Sequence, residues 1–156
     1  MSHSLQHELR QRVPFTDIEE EVFLGVLRTA DALLQPEAAL LRAHDLSFAQ
    51  FNVLRILRGA GADGASCGDI AERMVKRDPD VTRLLDRLED RGLVRRVRDG
   101  RDRRVVMAGI TEAGQALIAP LDDAVPAVHR EQLGHMTREQ LETLAELLAV
   151  ARTPPD

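Results

Sequence analysis

The chain has no tryptophan and no tyrosine, a single cysteine, and one lysine (Lys76) among its 21 basic residues. Each scarcity excludes something. One cysteine, Cys67, forbids a disulfide within the chain, so stability must come from an apolar core. Cys67 opens a short helical segment, where a thiol can be reactive, but it has no resolving partner and is expected to be a small, inert, buried residue. The aromatic side chains are Phe15, Phe23, Phe48 and Phe51, all within helical apolar patterns where a core role is expected. Binders of single strands or RNA use aromatic platforms to stack bases, and the basic part of this chain has none. No apolar run approaches the ~18 residues of a membrane span. The opening residues, MSHSLQHELRQRV, lack the apolar centre of a secretion signal, so a cytoplasmic protein is expected. CxxC, P-loop, GxSxG and HExxH patterns are missing. His3, His7, His44, His129 and His135 keep no metal-binding spacing, and the carboxylates alternate with arginines as solvated helix faces do. Neither an enzyme nor a bound cofactor or metal is expected.

What is present is an uneven distribution of charge. The net charge is −5, yet residues 73–104 carry twelve basic and seven acidic side chains, a net of +5; the remainder carries nine and nineteen, a net of −10. Such asymmetry gives an oriented electrostatic footprint, suited to a polyanion on one side only.

The basic stretch has internal order. Asp78 can cap a helix and Pro79 suits its first position. Val81, Leu84, Leu85 and Leu88 follow at i, i+3, i+4 and i+7, and Gly92 can stop the helix. About thirteen residues at ~1.5 Å each give a rod of roughly 20 Å, short enough for a major groove. Taken alone, it would also pass for an ordinary amphipathic surface helix. Residues 93–98 (LVRRVR) and 103–110 (RRVVMAGI) then form two short strands around the turn signal Asp99-Gly100. Arg95, Arg96, Arg98, Arg101, Arg103 and Arg104 crowd this hairpin. Phosphates and a narrow minor groove attract such guanidiniums, although charge on an edge hairpin also serves solubility.

Before this stretch, residues 15–43 repeat apolar side chains at helical spacing, interrupted by Pro36, which is expected to kink or break the helix. Ser47 and Gln50 fit a capping box, with Leu46 and Phe51 as a hydrophobic staple; Ser66 and Asp69 repeat the capping spacing before a short helix. After the hairpin, Thr111 can cap a helix running to about Gly134 and bent at Pro120 and Pro126. Thr137 and Gln140 fit a capping box for a last helix striped by Leu141, Leu144, Leu147, Leu148 and Ala151. Helix, short helix, turn, reading helix and hairpin is the order of a winged helix-turn-helix. The expected fold is mainly α with a small β-hairpin. Its parts are a flexible N-terminus (1–14), an N-terminal dimerisation helix (15–45), a winged helix-turn-helix domain (46–110), C-terminal dimerisation helices (111–152) and a tail (153–156). The long apolar end helices point to a two-fold dimer that sets two reading helices one DNA turn apart, ~34–36 Å. A monomer with those helices folded back on its own core is the alternative.

The chain resembles the MarR family of bacterial transcriptional regulators. That family's wing signature, Asp-x-Arg, five residues, then Leu-Thr-x-x-Gly, reads here as Asp102, Arg104, Ile110, Thr111 and Gly114, with Ile for Leu. The stretches VTRLLDRLEDRGLVRR from Val81 and FAQFNVLRIL from Phe48 are also typical. The resemblance implies a homodimer that binds palindromic double-stranded DNA near a promoter, usually as a repressor. It implies that Asp102 pairs with Arg104 and that Arg104 enters the minor groove, flanked by Arg101 and Arg103. It places Asp80, Thr82 and Arg83, with Arg87 after them, at the major groove. Arg83 would suit bidentate contact with guanine, and Thr82 a phosphate or a thymine methyl. Many members release DNA when a small aromatic (phenolic) acid binds; no residue here identifies that effector. Other members sense oxidants through a cysteine near the first helix, and Cys67 does not match that position. A winged helix serving only as a protein-docking module is the other reading of the same pattern.

Overall fold

A computed structural model describes residues 5–77, 80–98 and 105–153. Its elements are α1 (Leu5–Glu8), α2 (Ile18–Arg42), α3 (Phe48–Ala60), a 3-10 turn (Gly61–Asp63), β1 (Ala65–Ser66), α4 (Cys67–Arg73), α5 (Val81–Asp90), β2 (Val94–Arg98), β3 (Val106–Ile110), α6 (Glu112–Ile118), α7 (Leu121–Leu133) and α8 (Arg138–Arg152). They fall into two compact units, Met1–Ala119 and Pro120–Asp156.

In the first unit, α3 is the hub on which α2, α4, α5, α6 and β3 pack. Phe51, Val53, Leu54, Ile56 and Leu57 of α3 are all buried. Its start is fixed locally: the Ser47 side chain accepts from the Gln50 amide at 3.1 Å, and the Gln50 side chain accepts from the Ser47 amide at 3.0 Å. Leu46 and Phe51, the staple pair, are both buried. Ser66 and Asp69 form the second capping box; hydrogen bonds from Ser66 to the Asp69 carboxylate hold that carboxyl below its usual range.

A strand absent from the sequence reading completes the sheet. β1, two residues long, pairs antiparallel with β3, giving the order β1-β3-β2. Gly64 makes it possible: its φ is +68°, and a Cβ there would overlap the Ala108 carbonyl oxygen.

Several expectations need correction. Residues 5–8, expected to be loosely ordered, form one helical turn. Pro36 lies inside α2 without ending it; the ring removes one amide donor, and the turns on both sides carry the 25-residue helix through. Phe23 is not core: it is 63% exposed, beside the exposed Ile18, Val22, Val26 and Leu27. The helix expected to run from Thr111 to about Gly134 is two helices. Pro120 sits at the N-cap of α7, where its missing amide costs nothing, so α6 ends at Ile118. Because α6 packs on α3, it belongs with the winged helix. In the second unit, Pro126 lies within α7, and α8 begins at the expected Thr137–Gln140 capping box. No residue of α8 is buried, and Leu144, Leu147 and Val150 are exposed along one side of it.

Candidate nucleic-acid interface

The reading helix is α5. Its N-cap is Asp80, not Asp78: the Asp80 Oδ1 accepts from the Arg83 amide at 3.0 Å. Asp78 and Pro79 lie outside the described residues. The predicted stripe is the buried one, with Val81 at 6%, Leu84 at 8%, and Leu85 and Leu88 fully buried. Exit from the helix is also as expected. Gly92 takes a φ of +70°, its amide donates to the Glu89 carbonyl, and the Leu93 amide donates to the Leu88 carbonyl. This is a Schellman ending, with Leu88 and Leu93 both buried. Burying that stripe forces the opposite face outward, and Thr82, Arg83 and Arg87 are all exposed on it. Asp80 is exposed as well, but its carboxylate is engaged as the cap.

Two long-range hydrogen bonds hold α5 in place. The Asn52 Oδ1 on α3 accepts from the Val75 amide at 2.8 Å, pinning the turn that leads into α5. The Arg91 guanidinium donates to the Asp45 carbonyl at 2.7 Å, pinning its far end. Asn52→Ala should cost about 1 kcal/mol of stability. Hydrogen exchange should show the Val75 amide losing its protection.

The wing is β2 and β3, paired antiparallel from Val94–Ile110 to Arg98–Val106. Alternation sorts the arginines of β2 by face. Val94 is buried toward the core, so Arg96 and Arg98 share the α5 side, and Arg95 and Val97 point to the other. Arg96 is not free for phosphate. Its Nη2 lies 2.6 Å from Glu89 Oε2 and 2.7 Å from Asp86 Oδ1, both on α5. Its Nε and its backbone amide donate to the two Glu89 oxygens at 2.8 and 2.9 Å. These hydrogen bonds hold the Glu89 carboxyl below its usual range and raise the Arg96 guanidinium. A carboxyl lowered by folding contributes stability above its ordinary pKa and loses it as pH falls through the lowered value; Glu89 is therefore ionised at neutral pH. Counting arginines in the sequence overstated the phosphate-facing set by this residue. Arg98, counted in the same set, is exposed on the α5 side, a placement that strand parity alone could have given. Arg101, Asp102, Arg103 and Arg104 lie outside the described residues.

The end of the wing is clasped to the end of the reading helix. The Thr111 amide donates to the Leu93 carbonyl at 3.0 Å, and its hydroxyl donates to the Gly92 carbonyl at 2.7 Å. The same hydroxyl accepts from the Gly114 amide at 3.1 Å, capping α6. A Cβ at Gly114 would overlap the Leu93 carbonyl oxygen and come within 2.8 Å of Ile110 Cγ1.

On the outer face of the sheet, a cavity of about 500 Å³ is bordered by Arg58, Arg95, Met107, Gly109 and Gln115. Cys67, expected to be buried, is half-exposed at the first turn of α4 and forms no disulfide. Among the described residues no group of His, Cys, Asp or Glu could hold a metal ion, and no helix is long and apolar enough to cross a membrane.

An apolar-backed reading helix, a short helix before it and an arginine-bearing hairpin clasped to its end define a winged helix-turn-helix. A sequence model of the MarR family matches residues 44–105. The crystal structure of a MarR transcription factor from Planctomyces limnophilus is 38% identical, with a TM-score of 0.66 over 88% of this chain and 99% of that one. The homoprotocatechuate degradative operon repressor of Escherichia coli is 26% identical over 131 residues, 84% of this chain and 87% of the relative. A structure concerning regulation of DNA binding of Bordetella bronchiseptica BpsR by 6-hydroxynicotinic acid is 23% identical, with a TM-score of 0.67 over 83% and 99% of the two chains; at that identity it shows the fold alone. The chain belongs to the MarR family of transcriptional regulators.

Proposed function

We propose that the chain acts as a homodimeric repressor of a palindromic promoter operator, with α5 in the major groove and the wing in the adjacent minor groove. The observation that carries the reading is the exposed Thr82, Arg83 and Arg87 face of α5 beside an arginine-bearing hairpin, in a chain that is otherwise acidic. Arg83 is suited to bidentate contact with a guanine, and Thr82 to a phosphate or a thymine methyl. In this reading Asp102 orients Arg104 for the minor groove, with Arg101 and Arg103 beside it. Dimerisation would cover the exposed apolar side of α2, where Ile18, Val22, Phe23, Val26 and Leu27 are each more than two-fifths exposed. Release by a small aromatic acid is part of the proposal. It is supported by the E. coli relative, the repressor of the homoprotocatechuate degradative operon.

The test is duplex binding to the DNA upstream of the chain's own gene, against a scrambled duplex, across a salt series. The expected result is a preference of at least about 10³-fold, with affinity for both duplexes falling steeply as salt rises. Aromatic acids titrated into the specific complex should then release it. Equal, weak binding to both duplexes would leave two readings: an operator that lies elsewhere, or a basic segment that serves a protein partner.

A further inference from the structure

We propose that Arg96 is a positioning residue: with Glu89 and Asp86 it braces the wing against the reading helix, so that both meet DNA as one rigid body. The proposal rests on the functional reading above for its purpose, and on the geometry for its existence.

The geometry is unusually complete for a surface cluster. Both Glu89 oxygens are used, one by the Arg96 backbone amide at 2.9 Å and the other by the Arg96 guanidinium. One carboxylate therefore fixes both the main chain and the side chain of the same strand residue. Asp86, one turn earlier on α5, takes the guanidinium from a second direction at 2.7 Å. The side chain of Arg96 is only 24% exposed. Directly opposite Arg96 in the sheet is Ala108 of β3, which is 2% exposed, so the brace acts beside a buried point of the neighbouring strand. A single exposed ion pair contributes little, because side-chain entropy and solvent screening offset it. Shared, charge-assisted hydrogen bonds in a network hold one geometry better.

The electrostatics point the same way. Glu89 and Asp86 put two negative charges beside a surface that is to approach phosphates. Long-range attraction alone would disfavour them. With both carboxylates at contact distance, Arg96 adds no net positive charge for DNA to use. What the cluster supplies is the angle between helix and wing. That angle decides whether both can occupy neighbouring grooves together.

The two accounts predict opposite signs. Glu89→Gln removes a negative charge near DNA. If charge were all that mattered, binding would tighten for every duplex. The brace predicts about ten-fold weaker binding to the operator, with binding to a scrambled duplex unchanged or slightly tighter. Arg96→Met should weaken operator binding by a similar factor while keeping the salt slope of the parent, because no phosphate contact is lost. The Glu89→Gln/Arg96→Met double variant should be no weaker than the weaker single variant; independent DNA contacts would add. Tighter operator binding by Glu89→Gln, a reduced slope for Arg96→Met, or additive losses would each overturn the proposal.

Hydrogen exchange on the DNA-free protein tests the brace separately. The Arg96 amide should be protected in the parent and exposed in Glu89→Ala, which leaves it no acceptor, while α3 amides stay protected in both. Free exchange of that amide in the parent would overturn the brace whatever DNA does. A parent that prefers no duplex, with the amide protected, would instead overturn the operator reading and with it the purpose assigned to the brace.

Discussion

Gly114→Ala should lower the midpoint of thermal unfolding by about 6–12 °C, at roughly 2–4 °C per kcal/mol for a chain of this size. Two opposed effects set the result. In a helix interior, alanine is better than glycine by about 1 kcal/mol, so propensity alone would make the variant more stable. The new methyl, however, would overlap the Leu93 carbonyl oxygen, and it would sit 2.8 Å from Ile110 Cγ1. Neither neighbour can move freely. The Leu93 carbonyl already accepts from the Thr111 amide, and Ile110 is paired with Val94 at the end of β3. Relief requires α6 to shift away from the end of α5, which breaks the Thr111 clasp. Overpacking of this kind typically costs about 1–3 kcal/mol, and occasionally more. Since main chain is the obstacle here, a net loss of about 3 kcal/mol is expected. Gly109→Ala is the control, because a Cβ there meets nothing within 4 Å. It should change the midpoint by less than about 2 °C. Both must be measured at one protein concentration, since the midpoint of the proposed dimer would depend on it. Equal stability of the two variants would mean that the clasp does not hold α6 as described.

The same clasp gives physical content to half of the wing signature. Thr111 and Gly114 meet the Gly92–Leu93 segment that ends the reading helix, and Ile110 pairs with Val94 at the start of β2, so that half of the motif is a joint between helix and wing. Features of this kind were legible where they are local. The capping boxes at Ser47, Ser66 and Thr137, the stripe of α5 and the Gly92 ending all depend on residues within a turn or two of each other. Where the deciding partner is distant, the sequence said less. β1 is two residues long and exists because β3 lies beside it. Asp78 and Asp80 both precede the same apolar stripe, and the register of the cap chose Asp80. Pro36 and Pro120 look alike in sequence, yet one rides inside a long helix and the other opens a new one. Strand parity, once β2 is known, puts Arg96 on the inner side of the hairpin. Only the packing of β2 against α5 shows that it meets Glu89 and Asp86 there.

Arg104→Ala should weaken operator binding by about 10²–10³-fold while the fold and the proposed dimer persist. The expectation combines the MarR resemblance with the physics of the minor groove, since Arg104 itself lies outside the described residues. β2 and β3 are in register out to Arg98 and Val106, and residues 99–105 join them in sequence. An arginine entering a narrow minor groove contributes about 1.5–2 kcal/mol through charge-assisted hydrogen bonds. A two-fold complex loses two such residues, about 3–4 kcal/mol, at 1.4 kcal/mol per factor of ten. The loss should appear on scrambled DNA as well, with a salt slope shallower by roughly one per protomer. Arg83→Ala should behave differently. If it reads a guanine, the operator loses about 1–3 kcal/mol per site and discrimination at that base pair relaxes. Arg95→Ala, on the sheet face turned away from α5, should change little. The three variants therefore separate the wing from the helix and both from bulk charge. An operator bound as tightly by Arg104→Ala as by the parent would remove the wing from the interface, leaving α5 alone to account for DNA binding.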